Sequence, residues 1–162
     1  MRNHLLRFCI MGLLLSSCVS VQLPNGKTTS AKDVQYKEPE EPFDSIKAVN
    51  ADKTWQSKKT GNTISYLSDC GGSDPSLQSI EADSLSALNN MKIVSTENLI
   101  YNGREARQSI STGDIDGVPV QLALMIFKKN GCNYTLSYGG IQKQFKSELK
   151  FYETFKAEFK AP

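Results

Sequence analysis

The sequence predicts an α+β domain, in which an antiparallel β-sheet of about six strands has helices packed on its faces, in the order β-β-α-β-β-β-β-α. Short runs with alternating apolar side chains, separated by glycine-containing turns, predict the strands. Two further segments repeat apolar residues every three or four positions, as amphipathic helices do. Strands joined by short turns pair with one another in antiparallel fashion, and helices then cover the faces of the resulting sheet.

The domain begins near Phe43 and opens with a predicted hairpin. Residues 55–58 and 63–67 flank a turn at residues 60–62 (Thr-Gly-Asn). The candidate core residues of this hairpin are Trp55, Ile64 and Tyr66.

The first helix is predicted to follow a glycine-rich break at residues 70–73. Asp74 is a favourable N-cap residue, and Pro75 suits the first helical position. The apolar residues that share one face of this helix are Leu77, Ile80, Leu85 and Leu88. Asn89 and Asn90 are predicted to end it.

Four strands are predicted after this helix. Residues 92–101 form either two short strands or one bulged strand, and Asn102-Gly103 is a strong hairpin signal before residues 104–112. Residues 113–117 predict the next turn. In residues 118–127 both alternating sets of side chains are largely apolar, so we expect this strand to be central and covered on both faces.

The last strand and the last helix complete the domain. Asn130-Gly131 predicts a turn into a strand at residues 132–138. The final segment has the spacing of an amphipathic helix. Its apolar face consists of Phe145, Leu149, Tyr152, Phe155 and Phe159.

The N-terminal residues 1–17 are typical of a bacterial lipoprotein signal peptide. Arg2 and Arg7 precede a short apolar stretch at residues 8–15, which is well below the ~20 apolar residues that a transmembrane helix needs. Small residues at 16 and 17 then precede Cys18, as in a lipobox. The alternative is a buried apolar helix with an incidental cysteine.

The resemblance to lipoprotein signal peptides covers residues 1–18 and implies cleavage before Cys18. It also implies a diacylglycerol on the Cys18 sulfur and an acyl chain, such as palmitate, on the new amine. Two or three acyl chains anchor a protein firmly to a membrane. Because Val19 and not aspartate follows the cysteine, we expect a bacterial cell envelope protein in the outer membrane.

Residues 18–42 are predicted to be the lipidated N-terminus and a flexible tether, and residues 43–162 a single globular domain. The tether contains few large apolar residues and ends in a proline-rich stretch, so it can bury little surface. The alternative is that residues 19–23 or Tyr36 dock on the domain as an edge strand.

Composition excludes several function classes for the processed chain. Without Arg2 and Arg7, 17 basic residues face 17 acidic ones, so no charge excess favours a nucleic-acid partner. His4 is the only histidine, and it leaves with the signal peptide. Its loss removes histidine-dependent nucleophile systems and the commonest zinc ligand. We therefore expect no enzyme activity, no cofactor and no metal.

Cys70 and Cys132 are the two cysteines left after processing and lipidation. In an oxidising envelope the simplest expectation is a disulfide between them. The alternative is two buried free thiols.

The order of elements, the paired Asn-Gly turns and the aromatic C-terminal helix resemble the PsbP/DcrB-like α/β/α sandwich domains. The resemblance covers roughly residues 43–162. It implies a binding or assembly module, since most proteins with this fold are not enzymes. Fold alone does not assign a function.

Several motifs have a chemical and a structural interpretation. Residues 70–73 before a helix form either an anion-binding nest or a simple turn, and the missing lysine of a phosphate loop favours the turn. Residues 113–117 carry two aspartates but lack the later ligands of a calcium loop, which favours a hairpin.

The charged residues are expected to be mostly solvated. Arg107 is a candidate partner contact on a strand that also carries Arg104 and Glu105. A membrane-surface role is the less favoured interpretation of five lysines, namely Lys128, Lys129, Lys143, Lys146 and Lys150.

Three functional hypotheses follow. The first is a membrane-anchored, non-enzymatic envelope lipoprotein that binds an envelope protein or supports an assembly. The second is a small-ligand carrier with a pocket between sheet and helix, lined by Trp55, Tyr66, Tyr134 and Tyr138. The third is an enzyme that uses carboxylates such as Asp114 and Asp116.

Overall fold

The computed structural model describes residues 28–47 and 50–162. The predicted signal peptide, the predicted lipidation residue Cys18 and the tether up to residue 27 lie outside the described residues. Within the described ranges, no helix is both long enough and apolar enough to cross a membrane.

One seven-stranded antiparallel sheet confirms the predicted α+β class. Its strands are β1 (Phe43–Ile46), β2 (Lys53–Ser57), β3 (Thr63–Cys70), β4 (Asn89–Tyr101), β5 (Arg104–Ile115), β6 (Val118–Lys129) and β7 (Cys132–Ile141). They lie side by side in the order β1-β2-β3-β7-β6-β5-β4. The short edge strand β1 is the one that the sequence did not predict, and β4 forms the other edge.

The three hairpin turns that join β4 to β7 lie where the sequence predicted them, and one of them is shorter than predicted. Each has a two-residue loop in which both residues have positive φ, as a type I′ turn requires. The loops are Asn102-Gly103, Asp116-Gly117 and Asn130-Gly131. The predicted turn at residues 113–117 is therefore too long, since Gly113 and Asp114 belong to β5.

Two helices cover opposite faces of the sheet, α1 (Leu77–Leu85) and α2 (Phe145–Glu158). On β6, Leu124 and Ile126 pack in the apolar cluster beneath α1, whereas Met125 and Phe127 pack in the larger cluster beneath α2. This arrangement confirms that β6 is central and covered on both faces.

The start of α1 differs from the prediction. Ser76 and not Asp74 is the N-cap residue, because its hydroxyl accepts a hydrogen bond from the backbone N–H of Ser79 at 3.1 Å. Asp74 instead pairs with Lys128. The helix ends at Leu85, so Leu88 joins the apolar cluster from beyond the helix.

The residues after α1 form the single strand β4, which confirms the alternative of one bulged strand. Its pairing with β5 is irregular between Asn89 and Lys92 and again between Ile93 and Ser95. From Ser95 to Tyr101 the register is unbroken.

Cys70 and Cys132 form a disulfide. They are direct partners across the β3–β7 pair, with Cα atoms 4.0 Å apart. The bond therefore joins the N-terminal hairpin to the last strand, as the sequence predicted.

Residues 28–42 lie against the domain, which corrects the predicted extent of the tether. Thr29 forms a backbone bridge to Cys70, and Gln35 forms one to Lys160. The Ala31 N–H also donates to the Ser68 hydroxyl at 2.8 Å. These are isolated bridges and not an added edge strand.

Tyr36 is the residue that holds this segment on the domain. Its ring centroid lies 5.2 Å from that of Tyr66, 5.6 Å from that of Trp55 and 5.9 Å from that of Phe155. Low apolar content predicted a free tether, but the half-buried Tyr36 ring, together with the partly buried Ala31 and Val34, packs on the aromatic core and supplies apolar contact for a polar segment.

Replacing Tyr36 by alanine is expected to lower the free energy of unfolding by about 2 kcal/mol, because it removes a half-buried ring from this cluster. Urea denaturation measures the change. Lys32→Ala is the matched control, since Lys32 is an exposed residue of the same segment. Equal midpoints for the Tyr36 variant and the wild type would show that the segment contributes no stability.

Candidate functional site

The four aromatic residues predicted to line a pocket lie instead in the closed core between the sheet and α2. Trp55, Tyr134 and Tyr138 are at most 1% exposed, and Tyr66 is also buried. Aromatic side chains of α2 and of the residue that follows it fill the space, namely Phe145, Tyr152, Phe155 and Phe159. A ligand pocket at this place is therefore excluded by packing.

Two hydroxyl groups of this core, those of Tyr138 and Tyr152, act as structural donors. Tyr138 donates to the carbonyl of Phe145 at 2.7 Å, and Tyr152 donates to that of Leu136 at 3.0 Å. Burial, and to a smaller extent the charge of Glu148, raises the pKa of Tyr138 to about 12. Burial also raises the pKa of Tyr152 well above its ordinary value. Both phenols therefore stay protonated at neutral pH and anchor α2 to β7.

Glu148 is a buried carboxylate that the sequence analysis did not single out. It accepts hydrogen bonds from the Ser57 hydroxyl at 2.8 Å, from the Asn62 amide at 3.2 Å and from the Thr60 hydroxyl. These donors surround the β2–β3 turn, so Glu148 fixes that turn on α2. The burial of Glu148 could have been predicted from its position four residues before Tyr152, on the same face of α2.

Neither residues 70–73 nor residues 113–117 form the anion-binding or calcium-binding site that was one interpretation of their sequence. In residues 70–73, Gly71 has a φ of 76° and donates its N–H to the carbonyl of Gly131, which makes the motif a turn. Asp114 lies on β5 and accepts a hydrogen bond from Asn90 at 2.8 Å, whereas Asp116 lies in the turn. Among the described residues no cluster of ligating side chains suits a metal ion.

Arg107, the candidate partner contact, pairs with Glu81 of α1. Its Nε donates to the Glu81 carboxylate at 2.7 Å, and both side chains are largely buried. Arg107 therefore helps to attach α1 to β5 and is not available as a surface contact. Arg104 and Glu105 are exposed.

The five lysines considered for a membrane-surface role fall into two groups: two make structural contacts and three are exposed to solvent. Lys128 pairs with Asp74, and Lys129 donates to the carbonyl of Ala161 at 2.8 Å. The three lysines near and on α2 are exposed, namely Lys143, Lys146 and Lys150.

A cleft of about 890 Å³ lies between the start of α1 and the β4–β5 hairpin. Leu77 and Ile100 give it apolar side chains, and Asn98, Arg104 and Lys128 add polar groups. A volume of this size is in the range of ligand-binding clefts. No local sequence pattern predicts this cleft, because its lining residues come from separate elements.

The β4 edge next to this cleft carries exposed apolar side chains. Val94 is 61% exposed and Ile100 is 70% exposed, and Met91 and Ile93 are exposed as well. Long edge strands with exposed apolar residues are binding surfaces or aggregation hazards unless they are covered. In the sequence, the sign of this surface is that both alternating sets of side chains in β4 contain apolar residues.

The fold and this surface define a class: a two-faced antiparallel α+β sandwich whose long strand β4 pairs on one side only within the described part of the chain. Solved structures of the same fold include LpqN of Mycobacterium tuberculosis, described as involved in cell envelope biogenesis. LpqN is 12% identical with a TM-score of 0.62, and the match covers 85% of this chain and 86% of LpqN.

A second structure with this fold is the cyanobacterial PsbP protein CyanoP of Synechocystis sp. PCC 6803. It is 12% identical with a TM-score of 0.55, and the match covers 91% of this chain and 99% of CyanoP. At such low identity both likenesses establish the fold alone. No family model and no curated protein sequence matches the chain.

Proposed function

We propose that this protein is a membrane-anchored envelope lipoprotein whose domain binds another protein and catalyses no reaction. The β4 edge carries the protein-binding part of the proposal. It offers thirteen residues of strand that pair on one side only within the described ranges, together with exposed Ile93, Val94 and Ile100. Exposed apolar side chains beside unpaired backbone favour a protein partner over a small polar substrate.

The location rests on other observations. The lipobox at residues 15–18 supports a lipid anchor on Cys18, and Val19 supports the outer membrane. The shared fold with LpqN, which is described as involved in cell envelope biogenesis, supports a role in the envelope. A surface that serves an envelope assembly would then be held near the membrane by the N-terminal anchor.

A photo-cross-linking amino acid at Val94 in living cells tests protein binding. We expect a protein adduct of defined mass from position 94. Leu67 is the matched control, because it is also exposed but lies on β3, away from β4. The absence of an adduct at position 94, or the same adducts from both positions, would contradict binding through β4.

The variant Cys18→Ala tests the anchor. We expect an unprocessed precursor that leaves the detergent phase, because acyl chains supply the membrane affinity. Intact mass of the N-terminal peptide and detergent-phase partitioning measure this. A mature wild-type protein that begins at another residue and carries no acyl mass would contradict the lipoprotein proposal.

A carrier of a small ligand is the second candidate, now placed at the cleft between α1 and the β4–β5 hairpin. The cleft volume and the apolar side chains of Leu77 and Ile100 favour a ligand with an apolar part. Native mass spectrometry of protein purified from membranes distinguishes the two functions. A retained small molecule supports the carrier, and a bare chain supports the protein-binding module.

A further inference from the structure

We propose that the open edge of β4 binds an extended segment of a partner protein as an additional β-strand, with one large apolar side chain of that segment in the cleft beside α1. This inference rests on the proposed protein-binding function and specifies its mode. Three features of the β4 edge carry it: its backbone pattern, its regular register and its position beside the cleft.

The backbone pattern follows from the turn that ends β4. Tyr101 and Arg104 flank the two-residue loop Asn102-Gly103, so they exchange backbone hydrogen bonds with each other. Bonded and non-bonded pairs alternate along an antiparallel ladder. The backbone N–H and C=O groups of Ile100, Asn98 and Thr96 therefore point away from β5, toward the open edge.

The regular part of the edge is long enough to hold a strand. The register from Ser95 to Tyr101 is unbroken, whereas the irregularities between Asn89 and Ser95 interrupt the other half of β4. Within these seven residues, the backbone donors and acceptors of Thr96, Asn98 and Ile100 point outward. The only groups that match this repeating pattern are those of another extended backbone.

The cleft gives the added strand a place for a side chain. Asn98 and Ile100 line the cleft, and Leu77 of α1 lies on its far side. Side chains of an added strand alternate between the two faces of the sheet, so every second one lies on the cleft side. In this mode of recognition, backbone bonds provide affinity and the cleft provides specificity.

A second copy of this chain that pairs over the whole regular stretch fits the cleft poorly. If two β4 strands paired across the regular stretch, centred on Asn98, each Ile100 would lie opposite a Thr96 and each Asn98 opposite an Asn98. Threonine and asparagine are too short and too polar to fill a cleft of about 890 Å³ whose apolar side chains are Leu77 and Ile100. We therefore assign the edge to a different protein segment, with a large apolar residue on its cleft side and no proline among its paired residues.

Asn98→Pro tests the mode of binding in the full chain, purified from membranes in detergent. Proline removes the outward N–H of residue 98, and edge strands tolerate proline where the N–H faces solvent. Asn98→Ala is the matched control, because it loses the same side chain, including its 3.4 Å contact with Arg107, but keeps the N–H. The probe is a set of peptides selected from a random ten-residue display library on the wild-type chain.

We expect the selected peptides to carry alternating large apolar residues, and their affinity for the Asn98→Ala variant is the reference, because that variant lacks the same side chain. We expect them to bind Asn98→Pro at least about tenfold more weakly, which corresponds to ~1.4 kcal/mol. Equal affinity for the alanine and proline variants would overturn strand addition, and so would a library that yields no binding peptide.

Hydrogen exchange keeps the proposal testable if the proline variant does not fold. In the wild type, a bound peptide is expected to protect the amides of Thr96, Asn98 and Ile100, and protection confined to other residues would overturn the proposal. A dimer whose β4 amides are protected without peptide would assign the edge to a second copy instead. If Asn98→Pro leaves the cross-linked adduct from position 94 unchanged, binding by strand addition is refuted, but the protein-binding function stands. The absence of any adduct would refute that function itself.

Discussion

Replacing Phe155 by alanine is expected to lower the free energy of unfolding by about 3–5 kcal/mol, the usual cost of removing a buried aromatic ring. Phe155 lies on the buried face of α2 and is 1% exposed. Its ring contacts Trp55 at a centroid distance of 5.4 Å and Phe159 at 5.7 Å. The cavity would open in the middle of the aromatic core, where few side chains can move to fill it.

Urea denaturation of the full chain measures this loss. Phe151→Ala is the matched control, because Phe151 lies on the same helix but is only partly buried, with its ring 5.4 Å from that of Phe43. We expect the control to lose clearly less stability than the Phe155 variant. Equal losses would show that the two faces of α2 contribute alike, which contradicts the packing described here.

Removing the disulfide with the double variant Cys70→Ala/Cys132→Ala is expected to cost about 4 kcal/mol. The bond connects residues 62 positions apart, so its loss gives the unfolded chain much more conformational freedom.

Thermal unfolding with and without reductant measures the contribution of the disulfide. We expect reductant to lower the midpoint of the wild type and to leave that of the double variant unchanged. The double variant therefore controls for effects of the reductant itself. A wild-type midpoint that stays the same after thiol titration has shown full reduction would mean that the bond adds no stability.

The sequence predicted the parts of the fold that local patterns encode. The loops Asn102-Gly103 and Asn130-Gly131 demand positive φ at two successive residues, which few other pairs accept, so the hairpins were predictable. Residues 118–127 are apolar on both alternating sides, so the central position of β6 was predictable as well. The buried face of α2 followed from its spacing alone.

The candidate site was predicted only in part. The charge balance, and the loss of His4 that the predicted processing implies, favoured binding over catalysis as an expectation. The aromatic residues Trp55, Tyr66, Tyr134 and Tyr138 were assigned to a pocket, because large aromatic side chains line pockets and cores alike. Their burial by α2 depends on how closely the helix packs, and no local pattern records that distance.

The sequence by itself determined the α+β class, the two amphipathic helices, the hairpin turns and the pairing of Cys70 with Cys132, and it predicts the lipid anchor on Cys18. Each depends on residues close in the chain or, for the disulfide, on the two cysteines that the predicted processing and lipidation leave. The tertiary structure alone decided that Tyr36 fixes residues 28–42 on the domain, that Arg107 pairs with Glu81, and that a cleft lies beside the open β4 edge. These features join residues far apart in sequence, and their energies come from burial and pairing that exist only once the chain has folded.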